Sequence, residues 1–191
     1  MTPHNHAKAR RWAAMVAATA LFMLAGARGD EMPAYPPVTR GWEAAQALVA
    51  RMSQVYDVRP PRLLKDHSSA YRAGTIFIRD QVLDGNTMEA TLAHEFAHYL
   101  SGHSGFQPAN EIEADSKVVE ILQRARGYSH GEAFRVQFRR LRNIYRVNLF
   151  MEGHLPPCQE LRIFLTGYPE FRDFVRETAN ERERSCLPSG W

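Results

Sequence analysis

Apolar residues recur along this chain mostly at helical spacing. Trp42, Ala45, Val49, Met52 and Tyr56 share one face of a helix expected over residues 41–57, which Pro60 and Pro61 end. Two short extended segments follow, at about 61–66 and 73–79. The second is the better strand, because Thr75-Ile76-Phe77-Ile78 is β-branched and aromatic. Gly74 predicts a turn between the two, and Asp84-Gly85 a turn into the next helix. That helix has Asn86 as N-cap and Glu89 three residues on, a capping-box arrangement; it runs from Ala90 to Leu100 without a breaker, and Gly102 is placed to end it in a left-handed conformation. Another helix is expected between Pro108 and Gly127. Ser129 and Glu132 form a capping box for a helix over 129–153, whose apolar face is Phe134, Phe138, Leu141, Tyr145 and Leu149. Arg135, Arg139, Arg142 and Arg146 line a neighbouring face, expected to be solvated and paired with local acids. A last helical region, about 157–183, contains Leu161, Phe164, Leu165, Phe171, Phe174 and Val175 and completes the core. The pattern describes an α-rich α+β domain with a small sheet.

The N-terminal stretch departs from this pattern. Met1 to Arg11 is basic, Trp12 to Leu24 is apolar, and Ala25-Gly26-Ala27 offers small residues at a cleavage spacing, so residues 1–27 read as a signal peptide. An apolar run of about 13 residues is short of the ~20 needed to span a bilayer; an uncleaved anchor is the competing reading. Residues 28–39, with three prolines, read as an extended linker, leaving 40–191 as a single domain. The charge argument changes accordingly. Of 24 Lys+Arg and 21 Asp+Glu, three basic and no acidic residues lie in 1–27, so the remainder balances at 21 against 21. The basic character belongs to the export signal and gives no support for nucleic-acid binding. Cys158 and Cys186 are the only cysteines. In an exported chain, periplasmic or secreted, they are expected to form one disulfide that ties down the C-terminal tail. Two free thiols or a metal pair are the alternatives, disfavoured because no His lies within four positions of either.

The chemistry concentrates at His94-Glu95-Phe96-Ala97-His98, which reads H-E-x-x-H. Residues four apart share a helix face, so two imidazoles can grip one metal ion, with Glu95 near the open coordination position where it can take a proton from metal-bound water. A catalytic zinc needs a third protein ligand. His103 is one residue out of register with the three-histidine pattern, whose Gly and His positions are both Ser here (Ser101 and Ser104), and it reads as a polar loop residue. Glu111 and Glu113 are separated by helix phase. Positions 111, 115, 118 and 122 (Glu, Asp, Val, Leu) form a face that turns apolar and points inward; 113, 117, 120 and 124 (Glu, Lys, Glu, Arg) form a solvated face with two i,i+4 charge pairs. Two inward carboxylates are costly without a cation. One Zn²⁺ with Glu111 as third ligand, and Asp115 accepting a hydrogen bond from a ligand imidazole, would satisfy both. A buried ion pair with an arginine of the same 108–127 helix would also do so.

His94-Glu95-x-x-His98 followed by Glu111-x-x-Ala114-Asp115 resembles the gluzincin metallopeptidases, the zinc peptidases with a glutamate third ligand, and in particular their small minimal-domain members. The resemblance covers about residues 60–126. It implies a mostly helical, zincin-like minimal metallopeptidase domain with a small β-sheet next to the H-E-x-x-H helix. It also implies a strand, like Thr75 to Ile78, that edges the cleft and can pair with an extended peptide. Only 12 residues separate His98 from Glu111, fewer than such enzymes usually show, which leaves a connection near 101–108. The family would add a Tyr, His or Arg to stabilise the oxyanion; Tyr71, His130, Tyr145 and His154 are the candidates, and the residues do not choose among them.

The resulting expectation is an exported zinc peptidase acting on peptides or proteins, with Glu95 as general base and no stable membrane span after signal cleavage. The first alternative is a catalytically idle zinc-bearing module that binds peptide. The second is a helical domain whose arginine stripe meets an acidic partner, the H-E-x-x-H being incidental.

Overall fold

A computed structural model describes residues 40–105, 107–147 and 155–191; the expected export signal (1–27) and linker (28–39) lie outside the described residues. Helix α1, Trp42–Val55, buries Ala45, Leu48, Val49 and Met52. It ends five residues before the prolines. Asp57 takes a left-handed conformation (φ 51°) and the Val58 amide reaches back to the Ser53 carbonyl, so a local turn stops the helix before the prolines act.

Strands β1 (Arg62–Asp66), β2 (Ala70–Arg72) and β3 (Thr75–Arg79) form a three-stranded sheet in the order β1-β3-β2, β3 being parallel to β1 and antiparallel to β2. The turn at Gly74 therefore joins β2 to β3, not β1 to β3. Ala73 and Gly74 both have positive φ (45° and 78°), the conformation that a tight hairpin requires. Three-residue β2 is too short to give a periodic signal, so it is absent from the sequence reading. Its presence puts β3 in the middle of the sheet, paired on both sides, and corrects the expectation that Thr75–Ile78 edges the cleft.

A one-turn helix α2, Asp80–Leu83, leads into α3, Met88–Ser101. Helix α3 is buried from Met88 through His98 without interruption. Such all-round burial marks a central element, and α1, α4, α5, β2 and β3 all pack on it. The anticipated capping box does not form: Thr87 is the N-cap and makes no side-chain bond. Glu89 turns instead to Tyr128 Oη (2.6 Å) and Arg126 Nη2 (3.1 Å), because a buried carboxylate gains more from a cation and a hydroxyl than from its own backbone. Gly102 does end the helix in the left-handed region, at φ 63°.

Helix α4, Pro108–Arg126, lies along α3; α5, His130–Arg146, packs on both. The Ser129/Glu132 capping box of α5 is formed; α5 ends at Arg146, and the rest of the expected 129–153 span lies outside the described residues from 148 on. The arginine stripe is not one solvated face. Arg142 and Arg146 clamp the buried Glu183, Arg139 reaches the Asn86 carbonyl, and Arg135 is buried with its guanidinium over Phe174. The last region is four pieces instead of one helix: α6 (Pro157–Thr166), a 3₁₀ turn (Pro169–Phe171), α7 (Arg172–Thr178) and α8 (Glu181–Arg184). Pro169 enforces the first break, and Asn180 caps α8 anew through Glu183.

Cys158, at the start of α6, is joined to Cys186 after α8, 28 residues on. Among the described residues no helix is long and apolar enough to cross a membrane. Closing a loop of this length corresponds to about 3–4 kcal/mol in the chain-entropy account. The double variant Cys158→Ala/Cys186→Ala is therefore expected to lose about that much stability in urea unfolding, and the wild type to lose it on reduction.

Candidate metal centre

Two histidines one turn apart on α3 and two acids one turn apart on α4 meet where these helices pack. His94 is 1% exposed and Glu111 2%; His98 and Asp115 are also buried. His94 Nε2 lies 3.1 Å from Glu111 Oε2 and 3.2 Å from His98 Nε2, and His98 Nε2 lies 3.4 Å from Glu111 Oε1. A tetrahedral ion with bonds of about 2.0–2.1 Å requires ligand atoms about 3.3–3.4 Å apart. The triangle formed by these groups has that size. Glu95 also brings a carboxylate oxygen to within 4.8 Å of the histidine nitrogens, so the buried His94-Glu95-His98 group could hold a metal ion. The shorter approach belongs to Glu111.

Behind His94 the network is anchored by one oxygen. Asp115 Oδ1 accepts from His94 Nδ1 (2.8 Å), Gln137 Nε2 (2.9 Å) and Arg140 Nη1 (2.8 Å). Because a carboxylate only accepts, the His94 proton sits on Nδ1 and the Nε2 lone pair faces Glu111 once the ring is neutral. Asp115 thus accepts from an imidazole as expected, and the buried arginine it pairs with is Arg140 of α5, not one of its own helix. Glu113 faces solvent and pairs with Lys117, and Glu120 with Arg124, as helix phase requires.

Electrostatics follow from this burial. Burial and Arg140 push His94 down, but Asp115 and Glu111 outweigh them and lift it to about 9. Burial raises Asp115, yet Arg140 and His94 hold it well below the usual carboxylate range. Glu160 on α6 is buried and pushed up to about 8, first by burial and then by the charge of Asp115, which favours its neutral form at pH 7. Burial likewise raises Glu95. With Glu160 protonated and His94 neutral, as metal binding requires, the charged forms of Glu95, Glu111 and Asp115 set three carboxylates against the buried guanidinium of Arg140 and leave two negative charges. Without a metal the His94 proton offsets one of them. A divalent cation could supply that balance.

The cleft over these groups is lined by Ser69, Ala70 and Tyr71 of the β2 segment, and by His103 and Gly105 after α3. Of the three oxyanion candidates among the described residues, only Tyr71 lines it. His130 pairs with Glu170 (3.0 Å), Tyr145 Oη donates to the Arg182 carbonyl (3.0 Å), and His154 lies outside the described residues. A second cavity, about 880 Å³ out to its mouth, shares Glu95 and Ser69 with the cleft; Val82, Thr91, Ile144 and Val147 are among its walls, and Arg140 and Glu160 reach it.

Gln137, Arg140 and Glu160 were not foreseen as part of the site. A signal exists for two of them: Gln137 and Arg140 lie on the same face as the buried Ala133, Val136 and Leu141, where polar groups need partners. The chain matches no protein-family model, and no curated protein or solved structure is significantly similar to it.

Before a metal binds, His94 holds its proton up to about pH 9, and a metal must displace it. Affinity for a divalent ion is therefore expected to climb about tenfold per pH unit and to be still climbing at pH 8. Competition against a chelator of known pH dependence reads this. A plateau above about pH 6.5, the value of an ordinary histidine, would show that the acids do not hold that proton.

Proposed function

We propose that the chain is an exported zinc-dependent peptidase of the gluzincin type, in which one Zn²⁺ is held by His94, His98 and Glu111 and Glu95 is the general base. The observation that carries this reading is the 3.1–3.4 Å triangle of His94, His98 and Glu111, with Glu95 on the same cleft. The negative charge that the buried acids leave once His94 is neutral adds to it. Zinc bound there would supply Lewis acidity, lowering the pKa of a water toward neutrality and polarising a carbonyl. The disulfide agrees with export.

The chain's own groups divide the remaining work. Glu95, raised by burial, is suited to accept a proton from the attacking water and return it to the leaving amine. Tyr71 lines the cleft, its Oη accepting from the Gly74 amide at 3.2 Å, and its own hydroxyl proton would go to the oxygen that becomes negative. Edge strand β2 lines the cleft and offers an extended peptide a backbone to pair with. The cavity adjoining Glu95 would take an apolar side chain flanking the scissile bond. Zinc binding alone does not need a carboxylate at position 95, which favours hydrolysis over an idle peptide-binding module.

Glu95→Gln is expected to reduce casein or peptide turnover by at least about 10²-fold while retaining one zinc per chain. Wild-type turnover in that variant would remove Glu95 from the mechanism, and undiminished zinc in Glu111→Ala would remove the third ligand. Filling the neighbouring cavity with Ile144→Trp should slow cleavage next to large apolar residues and spare cleavage next to alanine. Equal slowing of both in a peptide-library assay would count against that subsite.

A further inference from the structure

Behind His98 runs a chain of hydrogen bonds that reaches the surface. His98 Nδ1 lies 2.9 Å from His103 Nδ1, the two rings meeting edge on with centroids 5.1 Å apart. The far nitrogen of His103, Nε2, is 3.2 Å from Glu113 Oε2. Glu113 Oε1 accepts from Lys117 Nζ at 2.7 Å and Ser101 Oγ at 3.0 Å. His103 is largely buried, whereas the Glu113 side chain is 47% exposed.

Local backbone geometry explains how His103 comes to stand there. Gly102 adopts φ 63°, its amide reaches the Tyr99 carbonyl (3.2 Å), and the His103 amide reaches the His98 carbonyl (3.1 Å). This is the Schellman pattern, in which the second residue past the helix folds back onto the residue five before it. That pair is ordinarily apolar; here it is two imidazoles.

The direction of donation follows from the outer end inward. A carboxylate only accepts, so the contact with Glu113 puts the His103 proton on Nε2. A neutral imidazole has one N–H, so His103 Nδ1 is an acceptor and His98 Nδ1 must donate to it. His98 Nε2 is then the lone-pair nitrogen, and it is the one 3.2 Å from His94 Nε2 and 3.4 Å from Glu111 Oε1. We propose that His103 is a positioning residue, anchored by Glu113 and Lys117, that fixes the tautomer and ring orientation in which His98 binds the metal. The proposal rests on the zinc site described above. It also keeps His103 out of the ligand set, because one of its nitrogens serves His98 and the other serves Glu113.

The test is zinc affinity of the full chain by chelator competition, together with the Co²⁺-substituted absorption spectrum and ¹⁵N NMR of the imidazoles. His103→Ala is expected to weaken zinc binding by about 10–100-fold, with one ion still bound and unchanged Co²⁺ band positions. His103→Asn or His103→Gln, whose amide oxygen can accept from His98 Nδ1–H, should recover most of the loss. Surface variant Glu113→Gln, which leaves the core untouched, should lose several-fold. In the NMR spectrum His98 should be the Nδ1–H tautomer in wild type and a mixture in His103→Ala. Wild-type affinity and an unchanged His98 tautomer in His103→Ala would overturn the proposal, as would a Co²⁺ band shift marking His103 as a ligand. Absence of zinc from the wild type would sink the metal site itself, and the imidazole spectrum would still decide the relay.

Discussion

Carboxylates in the core of a small domain must be protonated, paired or met by a cation, and most of this fold is arranged around that requirement. Helix α3 is buried on every side yet carries His94, Glu95 and His98. Helix α4 adds Glu111 and Asp115 to the same interior, and α6 adds Glu160. Each would cost several kcal/mol if left ionised and alone. Arg140 from α5 is the one buried cation that faces all of the site's acids: Asp115, Glu160, Glu95 and Glu111 each stabilise its charge. The relative placement of four helices is thus tied to one guanidinium and one carboxylate oxygen. Asp115 Oδ1, with three donors inside 2.9 Å, couples α3, α4 and α5 at one point.

Rigidity at that point has consequences for the cleft. Among the described residues the sheet has only three strands, but β2 and β3 pack on α3, so the sheet fixes one wall of the cleft directly against the helix that carries His94 and His98. The Schellman turn at Gly102 fixes the opposite wall by folding His103 back over His98. The connection from α3 to α4 is therefore short for a reason. It reverses the chain in six residues, enough to join two antiparallel helices.

Much of this was legible in the sequence where a single element carried the signal. The i,i+4 spacing of the histidines and the separation of Glu111 and Asp115 from Glu113 by helix phase needed no tertiary knowledge. The Gly102 and Gly127 termini and the Ser129 capping box are similarly local. What escaped depends on partners distant in sequence. Arg140 was invisible because the arginines at 135, 139, 142 and 146 suggested one polar stripe, although Arg140 sits a residue outside it among buried neighbours. Glu89 was given to Asn86 because local capping is the only partner a sequence displays; its actual partners, Arg126 and Tyr128, lie 37 and 39 residues away. Strand β2 exists because β3 offers it an edge, and three residues have no periodicity of their own.

The two histidines are backed differently, and the charge count gives a reason. His94 is backed by an anion, Asp115, which Arg140 neutralises in turn. Were His98 backed by a second buried carboxylate, the interior with His94 neutral and Glu95 ionised would hold three uncompensated negative charges, one more than a divalent ion can balance. Interposing a neutral imidazole moves that acid outward to Glu113, where water and Lys117 stabilise it. There Lys117, with Ser101, draws the Glu113 carboxyl down to about 2. The surface pair Glu113–Lys117, which helix phase alone assigns to an ordinary solvated face, then becomes the outer terminus of the proposed metal site. On this argument the polar residue after Gly102 is constrained by electrostatics as well as by geometry. A glutamate in its place could accept from His98 Nδ1 equally well, but only by returning to the core the charge that the relay exports.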